Sequence, residues 1–175
     1  MKKTLIIIIA TISIPLSLLA QKPIICSEKE QVIKGSSDPR IIKSCTFENF
    51  KSVSKGDADY RGRYSYSYKL LKLINNRYVV IKNSELFNEN KNELLAIINQ
   101  KINETYVEYL NNPETKDCFD GFTFSNVSFD DLGISFNDMG IDFSTSFGLS
   151  GACLSVDGAT VSIKLDEIKG YLNKN

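Results

Sequence analysis

Residues 89–111 read ENKNELLAIINQKINETYVEYLN. Leu94, Leu95, Ile98, Ile102, Tyr106, Tyr109 and Leu110 recur at steps of three and four, and Ile97 widens the stripe they form. That period is helical, with one apolar side. Asn88 or Asn90 can cap the start, and Asn111-Asn112-Pro113 ends it. Burial at roughly 1.5–3 kcal/mol per side chain outweighs every other local contribution. A helix of this kind covers a sheet, and the flanking sequence supplies one.

Upstream, Tyr64, Tyr66, Tyr68 and Leu70 share one parity, and Arg63, Ser65, Ser67 and Lys69 share the other. Strict alternation predicts a half-exposed strand. Asn75-Asn76 is a turn signal, and Arg77 to Lys82 reads as the return strand of a hairpin. Downstream, Phe122, Phe124 and Val127 are assigned to one strand, and Ile134 and Phe136 to the next. Ile141, Phe143 and Phe147 follow the Asn137–Gly140 turn. Leu154 and Val156 precede Asp157-Gly158, a hairpin signal, and Val161, Ile163 and Leu165 alternate beyond it. Residues 166–172 are expected to close the chain as a short helix with Ile168, Tyr171 and Leu172 inward. The predicted class is α+β: an antiparallel sheet with one long amphipathic helix packed on a face, plus a short C-terminal helix. Residues 60–175 form that domain. Residues 21–59 are expected to be an irregular segment of short strands and loops tied down by a disulfide.

The chain has 175 residues, and the first 20 have the layout of a secretory signal peptide. Met1-Lys2-Lys3 is the positive head, Leu5 to Leu19 the apolar run, and Ala20-Gln21 the cleavage point. Pro15 and the hydroxyl residues weigh against a retained membrane helix. Export is expected, to the periplasm or beyond the cell, with no stable membrane anchor after cleavage. Export makes Cys26, Cys45, Cys118 and Cys153 candidates for two disulfides. Four cysteines allow three connectivities, and Cys26–Cys45 with Cys118–Cys153 is favoured because each pair lies within one stretch of structure.

Lys plus Arg equals Asp plus Glu at 21 each, and there is no His. Two of the bases, Lys2 and Lys3, lie in the signal, so the mature chain is slightly acidic. A nucleic-acid partner that needs a basic surface is therefore not expected. Lack of His removes Ser-His-Asp and Cys-His catalysis and the usual zinc sites. Neither a metal nor a cofactor is predicted, and no phosphate-cradling glycine loop occurs.

Three groups of residues remain as candidates. Tyr60, Tyr64, Tyr66 and Tyr68, flanked by Arg61 and Arg63, can stack on sugar rings or on a protein. The loop Phe147 to Gly151, with Phe147 and Leu149, is a second contact candidate. Acids are the third: Asp117 and Asp120, then Asp130, Asp131, Asp138 and Asp142. Paired carboxylates such as Asp131 and Asp142 can hydrolyse glycosides, whereas solvated turn acids are the simpler reading. They do not follow the calcium-loop pattern. Ser150 lies in Gly-Leu-Ser-Gly-Ala, which misses the nucleophile elbow.

Val79-Val80-Ile81-Lys82-Asn83-Ser84-Glu85-Leu86-Phe87 precedes the long helix. Leu132 to Phe143, LGISFNDMGIDF, and Val161 to Leu172, VSIKLDEIKGYL, follow it. In this order, across roughly residues 79–172, the chain resembles a bacterial extracytoplasmic domain of unassigned function. That domain forms the outer part of a lysozyme-sensing anti-sigma factor and accompanies some peptidoglycan deacetylases. The chain departs from it by lacking a Gly-Gly-Ala-His segment and by carrying Phe147 to Cys153 in place of Tyr-x-x-x-Pro. The resemblance implies the fold, an envelope location and a binding role.

The expected function is therefore an exported, non-catalytic cell-envelope binding protein. Its ligand would be a peptidoglycan-related glycan or a muramidase-like protein. Tyr64, Tyr66, Tyr68, Arg61, Arg63, Phe147 and Leu149 are the expected contacts. The alternatives are an inhibitor or immunity protein against a wall-lytic enzyme, and a wall-glycan hydrolase.

Overall fold

The computed structural model describes residues 23–32, 39–59 and 63–173. The expected signal segment, residues 1–20, and Tyr60 and Arg61 lie outside the described residues. Five strands form one antiparallel meander: β1 (Ile25–Gln31), β2 (Arg40–Phe47), β3 (Phe50–Ala58), β4 (Tyr64–Ile74) and β5 (Arg77–Val80). Three more form a second: β6 (Gly133–Phe136), β7 (Gly140–Thr145) and β8 (Ala159–Lys164). The long helix α1 (Lys91–Asn111) joins the two halves, and α2 (Leu165–Ile168) closes the chain. The class is α+β as predicted, with the strands divided between two sheets.

Alternation explains both sheets. In the small one, Ile134, Phe136, Ile141, Phe143, Val161 and Ile163 share a buried face. Leu94, Ile98 and Ile102 of α1 are buried too, and the helix packs beside β8. In the large sheet the inner face carries Cys45, Phe47, Phe50, Ser52 and Leu70. Strand β6 lies across that face. The Phe136 N–H donates to the buried Ser52 Oγ at 2.9 Å, and the Phe47 and Phe136 rings meet edge to face at 6.5 Å. Burial of this core dominates stability. The two ion pairs among the described residues, Arg40–Asp57 and Asp59–Arg63, lie toward the surface, where such pairs contribute about 0–1 kcal/mol.

The β4–β5 hairpin turns where Asn75-Asn76 was expected to turn it. Both residues have positive φ, 49° and 60°, which Asn tolerates. Both favoured disulfides are formed, Cys26–Cys45 and Cys118–Cys153. The first joins residues directly opposite each other on β1 and β2.

Four expectations are corrected. Residues 25–31, 40–47 and 50–58 are full strands rather than short pieces of an irregular segment, and they belong to the same sheet as β4 and β5. A domain boundary at 60 would cut that sheet. Residues 122–128 form no strand. Phe122 and Phe124 instead turn into a cluster of rings around Tyr106 and Phe147. Residues 151–156 form a 3-10 turn rather than a hairpin arm, with Cys153 held to Cys118. Finally, Ile97 and Leu110 of α1 are exposed, and the buried stripe includes Asn99.

Candidate functional site

Three tyrosines of β4 project from the inner face of the large sheet, with Tyr68 against the start of β6 at Gly133 and Tyr66 the most exposed of the three. Ring centroids are 6.3 Å apart from Tyr64 to Tyr66 and 6.4 Å from Tyr66 to Tyr68, with planes tilted 31° and 30°. The ladder follows from the period of a strand, which points every second residue the same way. Two glycines make room for it. A Cβ at Gly56 would strike the Tyr66 ring, and one at Gly133 would strike the Tyr68 ring. The Tyr64 hydroxyl donates to the Pro39 carbonyl at 3.2 Å. Tyr66 remains 50% exposed.

The ladder forms one wall of an open groove of about 890 Å³. Across from it lie Tyr109 of α1, Ser144 and Thr160 of the small sheet, and the 154–158 segment. Ser144 and Thr160 share a hydrogen bond at 3.1 Å. The two walls come from segments far apart in sequence and meet because β6 lies on the large sheet.

Arg63 also lines the groove, and its guanidinium is held by Asp59 through bonds of 2.9 and 2.7 Å. The same carboxylate accepts the Arg63 N–H at 3.0 Å. Asp131 and Asp157 also line the groove. Asp131 accepts the Ser128 hydroxyl at 2.6 Å and the Ser128 N–H at 3.0 Å. These bonds hold its carboxyl below the ordinary value of 3.8. Asp157 accepts from Ser146 Oγ at 2.8 Å and from the Leu149 N–H at 2.9 Å, fixing the 146–149 turn.

The groove thus unites Tyr64, Tyr66, Tyr68 and Arg63 from the expected contact set. Arg61 lies outside the described residues. Phe147 is only 7% exposed, ringed by Tyr106, Tyr109, Phe119, Phe122 and Phe124, so it is a core residue rather than a surface contact. Leu149 is half-buried against the same core. Tyr109, Ser144, Thr160 and Asp157 are lining residues that sequence reasoning did not assign to binding. Ser and Thr on a strand give no local signal of a site.

The paired acids do not converge on this groove. Asp142 accepts from Asn137 Nδ2 at 2.7 Å and Ser162 Oγ at 2.6 Å and is not among the lining residues. Asp130 is bound to the Ser84 N–H and hydroxyl. Among the described residues, no three His, Cys, Asp or Glu side chains are grouped to hold a metal. No known protein family, curated protein or solved structure matches the chain.

Proposed function

We propose that this is an exported, non-catalytic binding protein of the bacterial cell envelope, periplasmic or secreted, which takes a peptidoglycan-related glycan into the tyrosine groove. The observation that carries the reading is the Tyr64–Tyr66–Tyr68 ladder along one wall. Flat aromatic rings stack on sugar faces, and each ring is already ordered by its neighbours, so little entropy is lost on binding. Hydroxyls of Ser144 and Thr160 face the same space and suit a polyhydroxylated ligand. Two disulfides fit an oxidising compartment. The resemblance of residues 79–172 to an extracytoplasmic domain agrees with that location.

A binding role is favoured over hydrolysis by the state of Asp131. A glycosidase needs one carboxyl with a raised pKa. Asp131 is shifted the opposite way by Ser128. The chain has no His to act instead.

The test is retention of the oxidised protein on insoluble peptidoglycan, run beside retention on immobilised muramidase. Peptidoglycan retention is expected, with Tyr66→Ala weakening it about fivefold, since stacking is worth about 1 kcal/mol per ring. Retention on muramidase alone moves the reading to an inhibitor. Retention on neither, or retention that Tyr66→Ala leaves unchanged, refutes the groove as the site.

A further inference from the structure

The outer face of the large sheet, opposite the tyrosine ladder, has a charge unlike that of the whole chain. Its strands present Lys29, Arg40, Lys51, Lys55 and Lys69, and one acid, Asp57, which Arg40 neutralises. Formal charge over the full chain is zero, so this face concentrates the cations. The glutamates of β1, Glu28 and Glu30, have the parity of Cys26 and belong to the other face.

Apolar side chains stand among these cations. Ile25, Thr46, Lys51, Leu71 and Val80 follow one another across the five strands, and Leu73 and Tyr78 pair in the next row. Ile25 is 68% exposed, Val80 60%, Tyr78 41% and Leu73 37%. Strand β5 closes the sheet as an edge, and every one of its residues is exposed. The Lys51 ammonium lies 5.4 Å from the Tyr78 ring centroid, so cation and aromatic already share one spot.

We propose that this face docks the protein on an anionic phospholipid surface. Lysines near such a surface bind headgroups, and interleaved apolar and aromatic side chains settle at headgroup depth. A polyanion alone would use the charges but leave Ile25, Leu73, Tyr78 and Val80 in water. Docking stays interfacial, because the unpaired edge of β5 must keep its N–H and C=O groups hydrated. No helix among the described residues is long and apolar enough to cross a membrane, so attachment through this face is peripheral. The groove opens on the opposite face of the sheet and stays accessible when the protein is docked.

The test is co-sedimentation of the exported, oxidised protein with mixed phosphatidylglycerol–phosphatidylcholine vesicles and with pure phosphatidylcholine. Binding is expected to the mixed vesicles only and to fall with salt. Tyr78→Ser with Val80→Ser, and separately Lys51→Glu with Lys69→Glu, should each weaken it at least about tenfold. All four positions are on the solvent side, so circular dichroism and peptidoglycan retention should be unchanged. Absence of binding to the mixed vesicles overturns the proposal, as does binding that neither double variant weakens. Retention on heparin equal to that on vesicles and indifferent to Tyr78→Ser with Val80→Ser assigns the face to a polyanion. A dimer dissolved by that pair, without lipid binding, assigns it to a second copy.

Discussion

Ser52 shows how much one hydroxyl can do in this molecule. It is almost fully buried, and its oxygen is the partner of the Phe136 N–H across the contact between sheets. Replacing it with Ala strands a buried donor, which costs about 1–3 kcal/mol. Urea denaturation of Ser52→Ala should show that loss as a shifted midpoint. Asp131 makes a weaker, surface-exposed case with a pH signature. Its carboxyl is held below the ordinary 3.8 by Ser128. The stabilisation from this bond is therefore complete above that value and is lost as pH falls through the lowered one. The difference in melting temperature between wild type and Asp131→Asn should be constant near neutrality and shrink in acid. Among residues, the tyrosines were legible in the sequence because alternation marks one face of a strand. Ser52, Ser144 and Thr160 were not, because a small hydroxyl residue has no pattern that separates a buried partner or a groove wall from ordinary surface.

The elements were legible wherever a period of two or of about 3.6 repeated. Tyr64 to Leu70, Ile134 with Phe136, Ile141 with Phe143, and Val161 with Ile163 all alternate, and each lies in a strand. Helix α1 starts within two residues of its expected position and ends where it was expected to end. Periodicity failed at Phe122 and Phe124, whose spacing imitates a strand although no partner strand lies beside them. It also failed at Asn99, which interrupts the apolar stripe of α1. The Asn99 amide donates to the Leu95 and Val127 carbonyls, both at 3.0 Å, and its oxygen accepts the Val127 N–H at 2.8 Å. That side chain ties the strandless 122–128 segment to the helix. Asn99→Leu would make the stripe more uniform yet orphan both polar groups of Val127. The expected result is a loss of about 1–3 kcal/mol for each group left unpaired, read from thermal unfolding. The β4–β5 turn offers the opposite sign. With φ of 60° at Asn76, a glycine is better suited, so Asn76→Gly should raise the melting temperature.

At the level of the whole molecule, the two disulfides staple different halves. Cys26–Cys45 links residues 19 apart within the large sheet, and Cys118–Cys153 links residues 35 apart, joining the 3-10 turns at 116–119 and 151–156. Chain entropy assigns about 3–4 kcal/mol to each loop, slightly more to the longer. Replacing Cys118 and Cys153 together with Ser should cost about that much in guanidinium unfolding.

The two-sheet plan also dictates an order of events. Both sheets are meanders, so every strand pairs with its neighbour in sequence and each sheet can zip up from local contacts. The Ser52–Phe136 bond spans 84 residues, and a contact so distant in sequence carries a loop-closure cost that favours its forming after the local strand pairs. The tyrosine groove is bounded by both sheets, so it is assembled last, when the halves dock. Ser52→Ala should consequently leave the refolding arm of a chevron plot almost unmoved and raise the unfolding arm without changing its slope, as loss of a contact absent from the transition state does. The groove is thus the part of the molecule that depends most on long-range contacts: a change that loosens the contact between sheets would dismantle it while leaving each meander paired.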